Sequence, residues 1–101
     1  MPWFTENETE LSEKVEKKLK EPEEFRVILL NDHYTTMDFV VHVLMSIFHK
    51  TGEEANRIML DVHKKGRAMA GMYPWDIAKT KADQVHAIAR QNEFPLRCII
   101  E

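Results

Sequence analysis

The stretch Phe25–Met37, which reads FRVILLNDHYTTM, decides how the rest of the chain is interpreted. It opens with a short aliphatic run that is typical of a strand, and the run stops at Asn31, Asp32 and His33, just before a predicted helix. Such a junction gathers amide, carboxylate and imidazole groups at one edge of a fold, beside an apolar wall. Two interpretations stay open. The acceptors bind a ligand that carries a cation and an apolar group, or they form only a turn, which the residue types alone favour.

Length and composition predict one globular domain with a modest core. The chain has 101 residues, of which 44% are hydrophobic. Its formal net charge is -3 and its pI is about 5.9. A dedicated nucleic-acid binder normally shows a basic face, so this charge argues against a nucleic-acid partner.

The charge is concentrated at the N-terminal end. Residues 1–24 contain eight Glu and four Lys, a net charge of -4, whereas residues 25–101 contain nine acids and ten bases, a net charge of +1. An acidic segment with few apolar residues is typical of a solvated or disordered arm. We therefore predict a flexible acidic extension over residues 1–24 and a folded core domain over residues 25–101.

Three further observations bear on compartment and chemistry. The lone cysteine, Cys98, lies in an apolar run and is predicted to be a small buried side chain, since one cysteine forms no internal disulfide. No apolar run approaches the ~20 residues of a membrane span. The N-terminus lacks the basic and apolar regions of a signal peptide. We expect a cytoplasmic protein with no membrane partner.

Hydrophobic spacing predicts three strands and three helices in the order β-α-α-β-α-β. The strands are predicted at 25–30, 67–73 and 96–100, and the helices at 36–50, 53–65 and from 74 to about 92. Gly66 should end the second helix, and Gly71 should mark a bulge or a close approach in the second strand. Ile77 is predicted to belong to the apolar face of the third helix. This order predicts an α+β domain, a three-stranded antiparallel sheet packed against three helices.

His63 is the one histidine whose position suggests a role beside Asn31 and Asp32. It follows Met59 by four residues and Val62 by one, so it is predicted on the core-facing side of the second helix. A histidine on an apolar face is more often a core residue than a ligand, and both interpretations stay open. The sequence has no HExxH pair, no GxSxG and no glycine-rich phosphate loop, so neither a metal site nor catalysis is indicated.

Three collinear segments resemble the ClpS family, bacterial adaptors that deliver N-degron substrates to the Clp unfoldase–protease. They are ILLNDHYTTMDFVVHVL (28–44), RIMLDVHKKGRAMAGMYPWDIAKTKADQVHAIAR (57–90) and NEFPLRCIIE (92–101). The family fold is the predicted one. The resemblance implies an adaptor that performs no chemistry and needs no cofactor. Its expected ligands are proteins with a free α-amino group and a bulky hydrophobic first residue, and its expected partner is the N-terminal domain of a ClpA-type AAA+ unfoldase.

The resemblance also assigns roles by position. It implies that Asn31, Asp32 and His63 bind the α-amino group of the substrate, and that His33 and Thr35 contact the substrate backbone. The residues implied for the pocket that takes the first side chain are Leu29, Leu30, Thr35, Met37, Val40, Met59, Val62 and Leu96. The residues implied for docking on the ATPase are Tyr73, Asp76, Thr80 and Lys81. For the pocket residues the alternative is plain core, and for the docking residues it is a solvated helix face.

The sequence departs from the family pattern at three positions. His33 stands where many members have a second Asp, Thr36 replaces a common Pro, and Lys79 replaces a common Glu beside the docking residues. The change at His33 is expected to alter the preference for the second residue of the substrate or to weaken the attraction for its cationic terminus. A different class of function also stays open, in which the same fold serves as a general peptide-interaction module, as in the ligase domains that share this pocket.

Overall fold

The computed structural model describes residues 12–13 and 23–101 of the chain. Its elements are β1 (Glu24–Leu30), α1 (Met37–Ser46), α2 (Gly52–Lys65), β2 (Arg67–Pro74), α3 (Trp75–Gln91) and β3 (Arg97–Ile100). The predicted order is confirmed. The predicted extension over residues 1–24 lies almost entirely outside the described residues, and β1 begins one residue earlier than expected.

The three strands form one antiparallel sheet in the order β2-β1-β3. β1 is therefore the central strand, and its last residue, Leu30, faces Arg67 on β2 and Arg97 on β3. This topology confirms the predicted α+β class. Because β1 is the central strand, the loop that follows it starts at one end of the sheet, between β2 and β3.

One cluster of buried side chains joins the sheet to all three helices. Val27 and Leu29 of β1 are 0% exposed and contribute the sheet side of this core. The helices contribute Phe39, Val40, Val43 and Leu44 from α1, Ala55, Met59 and Val62 from α2, and Ala78, Ala82, Val85 and Ala89 from α3. These positions repeat at three and four residues, as an amphipathic helix requires. Cys98 is buried, as predicted, and burial, with a smaller contribution from the charge of Asp83, raises the pKa of its thiol to about 11.

The pairing of β1 with β2 contains an irregularity at the glycine that the sequence singled out. The register shifts between Val27 and Ile28, whose partners are Gly71 and Met69. A Cβ at position 71 would lie 2.7 Å from ring carbons of Tyr73, so only glycine fits beside that ring. Both predicted roles of Gly71, a bulge and a close approach, are confirmed.

α1 begins as predicted and ends four residues earlier than predicted. Thr36 is its N-cap, and the Thr36 hydroxyl accepts a hydrogen bond from the Phe39 N–H at 3.2 Å. The apolar period continues through Ile47 and Phe48, which are buried, but the helix stops at Ser46. His49 has a positive φ of 56°, and the Lys50 N–H donates to the Leu44 carbonyl at 3.0 Å. The predicted helix over 36–50 is wrong at its C-terminal end, because buried side chains continued the apolar pattern after the backbone had turned.

The remaining helices agree with the sequence apart from one residue. α2 is capped by Thr51 and ends at Gly66, whose φ is 88°. α3 begins at Trp75, with Pro74 as the residue before its first turn. Ile77 was predicted on the apolar face of α3 but is 47% exposed. It lies next to the buried Ala78, on the border of the apolar stripe, where no neighbouring element covers it.

Candidate functional site

A cleft opens at the end of β1 where the loop 31–36 meets α1 and α2. Its volume is about 190 Å³. The residues that line it are Asn31, Asp32, His33, Thr35, Met37, Val40, Met59, Val62 and His63. All nine are among the residues that the resemblance implied for substrate binding. The fold therefore brings together at one place side chains from two separate parts of the chain, residues 31–40 and residues 59–63.

A backbone hydrogen bond brings the end of β1 next to the end of α2. The Asn31 N–H donates to the Gly66 carbonyl at 2.9 Å, directly after the last pair of the β1–β2 ladder. Gly66 is the left-handed residue that ends α2, and its own N–H donates to Val62. Since His63 lies in the last turn of α2, this connection places its imidazole across the cleft from Asn31.

Asp32 organises the loop that forms one wall of the cleft. Its Oδ1 accepts hydrogen bonds from the N–H groups of Tyr34 at 2.8 Å and Thr35 at 2.7 Å, and its Oδ2 accepts from the Thr35 hydroxyl at 2.7 Å. Partial burial acts to raise the pKa of this carboxyl. The hydrogen bonds from Thr35 and Tyr34 and the nearby His33 act in the opposite direction, and the net effect is a pKa below the usual 3.8. The turn interpretation and the ligand interpretation of this segment are thus both compatible with the same carboxylate.

The rim of the cleft keeps unused hydrogen-bond acceptors. Among residues 23–101, neither the Asn31 side-chain amide nor the His63 ring forms a hydrogen bond within the protein. An ionised carboxylate offers about four acceptor positions, and Asp32 uses three of them in the turn. Three acceptors then remain for a ligand. They are one position on Asp32, the side-chain carbonyl oxygen of Asn31 and one nitrogen of a neutral His63. The cleft can satisfy a donor group with three N–H bonds.

The interior of the cleft is apolar. Val40, Met59 and Val62 are buried core residues whose surfaces form its floor, while Met37 is 45% exposed and stands at its rim. A dry apolar cavity of about 150 Å³ is enough to hold a benzene molecule. A cleft of about 190 Å³ is therefore matched to one aromatic ring or one branched aliphatic side chain.

Three residues that were expected in the pocket do not line the cleft. Leu29 is 0% exposed within the core, and the partly buried Leu30 pairs with Arg67 and Arg97 in the sheet. Leu96 is buried and borders a different groove, together with His86 and Phe94. Leu29 and Leu30 were assigned to the pocket by the family resemblance. Because side chains alternate along a strand, Leu29 points into the core and Leu30 points to the opposite face of the sheet.

The environment of His63 also differs from the prediction. His63 was expected on the core-facing side of α2, but its side chain is exposed, whereas its neighbour Val62 is 3% exposed. It lies at the border of the apolar stripe, and the space above it is the cleft rather than another element. Exposure keeps the ring available to a ligand.

The residues implied for ATPase docking lie at the end of β2 and along the first turns of α3. Asp76 and Thr80 are exposed, and the Thr80 hydroxyl donates to the Asp76 carbonyl at 2.9 Å. Lys81 is directed inward, since its ammonium donates to the Ile47 carbonyl at 2.6 Å and lies 5.1 Å from the Tyr73 ring centre. Burial raises the pKa of Tyr73. Lys81 and Tyr73 thus stabilise the irregular end of α1 in addition to any role at the surface.

Two features that would indicate other functions, a metal-ligand cluster and a membrane-spanning helix, are absent from the described residues. The part of the chain that the structure describes contains no group of three or more His, Cys, Asp or Glu side chains placed to hold a metal ion. Within the same residues, none of the helices has both the length and the apolar character needed to cross a bilayer.

The fold and the cleft define a small α+β module that presents an apolar slot with a rim of hydrogen-bond acceptors. The sequence model of the family described as "ATP-dependent Clp protease adaptor protein ClpS" matches residues 20–99. The chain is 61% identical over 92 residues to the ATP-dependent Clp protease adapter protein ClpS of Syntrophus aciditrophicus, covering 91% of this chain and 86% of that protein. The corresponding protein of Acetivibrio thermocellus is 54% identical over 82 residues, covering 81% and 83%.

A solved structure shows the same fold. It is the structure of Agrobacterium tumefaciens ClpS2 bound to L-phenylalaninamide, which superposes with a TM-score of 0.77 at 34% identity and covers 80% of this chain and 98% of that chain. The chain belongs to the ClpS family of ATP-dependent Clp protease adaptor proteins. The family resemblance read from the sequence is confirmed.

Proposed function

We propose that this adaptor binds N-degrons, proteins that carry a free α-amino group and a bulky hydrophobic first residue, and delivers them to a ClpA-type AAA+ unfoldase for degradation by ClpP. The observation that carries the proposal is the unused acceptors of Asn31, Asp32 and His63 on the rim of a cleft sized for one side chain. The structure of the related Agrobacterium protein is bound to L-phenylalaninamide, a molecule with a free α-amino group and a benzyl side chain.

The α-amino group is the part of the ligand that the rim selects. An ammonium carries three N–H donors and a positive charge, and hydrogen bonds from charged donors are the stronger ones. The rim supplies one acceptor for each donor: the side-chain carbonyl oxygen of Asn31, the free position of Asp32 and one nitrogen of a neutral His63. An internal peptide bond offers one uncharged N–H and would leave two acceptors without partners. Sites built this way discriminate strongly against a ligand that lacks the donors.

The first side chain of the substrate enters the apolar part of the cleft. Val40, Met59 and Val62 form the floor, Met37 the rim, and Thr35 the wall toward the loop. The volume of about 190 Å³ suits Phe, Leu, Tyr or Trp in an open-ended slot. His33 and Thr35 line the cleft, and we assign them contacts with the backbone of the substrate residues that follow the first.

Delivery uses other surfaces of the chain. We assign docking on the N-terminal domain of the unfoldase to Tyr73, Asp76, Thr80 and Lys81, of which Asp76 and Thr80 are the exposed pair. Residues 1–24 are proposed to be a flexible acidic extension that takes part in delivery, and residues 25–101 the adaptor core. This role belongs to a cytoplasmic protein whose partners are the unfoldase and its substrate proteins.

The test is a pair of peptides that differ only in N-terminal acetylation. A labelled peptide that begins with Phe should bind in a fluorescence anisotropy titration, and its acetylated form should bind at least about tenfold more weakly. Each lost hydrogen bond to a charged group costs about 1.5–3 kcal/mol, and 1.4 kcal/mol corresponds to a factor of ten. Equal binding of the two forms would refute the proposal and favour a general peptide-interaction module.

A substitution at His63 connects the peptide result to the rim. His63→Ala should weaken the binding of Phe, Leu, Tyr and Trp peptides by a similar factor, because the imidazole contacts the amine that all of them share. His42→Ala is the matched control, since His42 is exposed on α1 and does not line the cleft. If His42→Ala weakens binding as much as His63→Ala does, the effect does not come from the rim.

A further inference from the structure

A second groove, separate from the cleft, lies near the C-terminal end of α3. Its volume is about 420 Å³, larger than that of the cleft, and its lining residues are His86, Arg90, Phe94, Pro95, Leu96 and Arg97. The groove runs between the end of α3 and the segment that leads into β3. None of the roles assigned above uses it, and the misplaced Leu96 is one of its residues.

The charged residues of this groove are cations. Arg90 and Arg97 are exposed, and within residues 23–101 neither forms an ion pair. The contrast is Arg67, which faces Leu30 from the other neighbouring strand and is bridged to Glu101. No carboxylate lines the groove, although the exposed Glu93 precedes Phe94 in the chain. The groove therefore suits a ligand that combines an anionic group with apolar surface.

His86 contributes an apolar and hydrogen-bonded wall. Its Nε2 accepts a hydrogen bond from the Cys98 N–H at 3.1 Å, which fixes one ring nitrogen as an acceptor and leaves the ring neutral in this arrangement. The bond also satisfies an N–H on the outer edge of β3. The two guanidinium groups, rather than the imidazole, then supply the positive charge of the groove.

Two contacts place the groove near the cleft. Phe94 packs on Phe39 with 4.7 Å between ring centres, and Phe39 adjoins Val40, which forms the floor of the cleft. On the sheet side, Arg97 faces Leu30, the residue directly before Asn31. A helix is about 10 Å across, and an extended chain advances about 3.3 Å per residue. A peptide whose first residue occupies the cleft therefore reaches the groove about three to five residues later.

We propose that this groove is an extended subsite that binds an acidic side chain located at about the fourth to sixth residue of the substrate. The inference rests on the proposed function, because it requires the first residue of the substrate to occupy the cleft. It predicts that the protein selects among substrates with the same first residue according to the charge of the segment that follows.

The experiment uses the full chain and peptides that begin with Phe, with Glu, Gln or Lys placed in turn at positions two to eight of an otherwise neutral sequence. At low ionic strength Glu at positions four to six should bind about two- to fivefold tighter than Gln, the range expected for exposed charge pairs. Lys at the same positions should bind more weakly than Gln. The preference should vanish at high salt, where such charges are screened.

The variants test whether the preference arises in the groove. Arg90→Glu combined with Arg97→Glu should invert the preference, and the neutral pair Arg90→Gln with Arg97→Gln should abolish it. Arg57→Glu with Lys79→Glu is the matched control. It makes the same change in net charge at exposed residues that line neither the cleft nor the groove. Binding of the Gln peptide should be unchanged in every variant, which separates a failure of this inference from a failure of the proposed function or of folding.

Three outcomes would overturn the subsite. One is equal binding of the Glu, Gln and Lys peptides at all positions, and another is an acidic preference that the control pair removes as well as the groove pair does. The third is loss of the preference for Glu peptides when a peptide of residues 1–13 is added as a competitor. These residues carry four Glu and no Lys or Arg. In that case the occupant of the groove is the acidic segment of this chain.

Discussion

Met37→Ala should convert the cleft from one that rejects β-branched first residues into one that accepts them. Met37 stands at the rim of the cleft, on the first turn of α1. Asn31 and His63, which we propose bind the amine, line the same cleft. In the proposed binding mode the rim holds the α-amino group, so the Cβ of the first residue of the substrate lies at the mouth of the cleft, next to Met37. Ile and Val carry their branch at this atom and have little rotational freedom to avoid a neighbour. Phe, Leu, Tyr and Trp place their bulk deeper, over Val40 and Val62.

The expected magnitudes follow from the size and exposure of the side chain. A single methyl group that does not fit costs about 1–3 kcal/mol, so the native protein should prefer Leu over Ile by about ten- to a hundredfold. Alanine removes three heavy atoms and opens this space. Met37 is 45% exposed, so the native ligands lose only part of its apolar contact, about 1 kcal/mol or about fivefold in affinity.

The assay is a panel of labelled peptides that are identical after the first residue, titrated against the native protein, Met37→Ala and Met45→Ala. Met45 is the matched control, because it is on the same helix, is also 45% exposed and does not line the cleft. Met45→Ala should leave both affinity and selectivity unchanged. If the native protein binds Ile as well as Leu, or if Met37→Ala still excludes Ile, Met37 is not the residue that sets this selectivity.

Two further predictions concern the loop and the extension. Asp32→Ala should lower the free energy of unfolding by about 1 kcal/mol in a denaturant titration, as loss of a capping side chain does. Since folding lowers the pKa of Asp32, its contribution is present above pH 3.8 and is lost as the pH falls through the lower folded value, so native and variant should converge in acid. Deletion of residues 1–24 should leave peptide affinity and melting temperature nearly unchanged but slow degradation of an N-degron substrate by the unfoldase–protease. Equal degradation rates for the deleted and full chains would refute a role of the extension in delivery.

The sequence was sufficient to predict the fold because its local signals agree with one another. α2 shows this most clearly: Thr51 caps its start, acidic residues occupy its first turn, and Gly66 ends it in the left-handed conformation that glycine tolerates. The end of α1 was mispredicted because hydrophobic spacing reports burial and not backbone conformation. Ile47 and Phe48 are buried from a non-helical segment, and nothing in the sequence marked His49 as a residue with positive φ.

The candidate site was predictable in its composition and less so in its geometry. Periodicity placed Met59 and Val62 on one face of α2, and their surfaces do form the floor of the cleft. It could not show that the space above His63 is open, since that depends on where the loop 31–36 runs. The spacing also gave no reason to exclude Leu29, whose side chain points from β1 into the core rather than toward the cleft.

The rim and the floor of the cleft are held in place by different parts of the fold, and this has a consequence for how specificity can change. The position of the rim depends on the Asn31–Gly66 backbone hydrogen bond and on the turn that the Asp32 carboxylate organises. The floor depends on side chains whose size can vary while the core remains packed. Recognition of the α-amino group should therefore be the constant property of this site. The choice among first residues, and among the residues that follow, can change through Met37 and the groove arginines without loss of the amine.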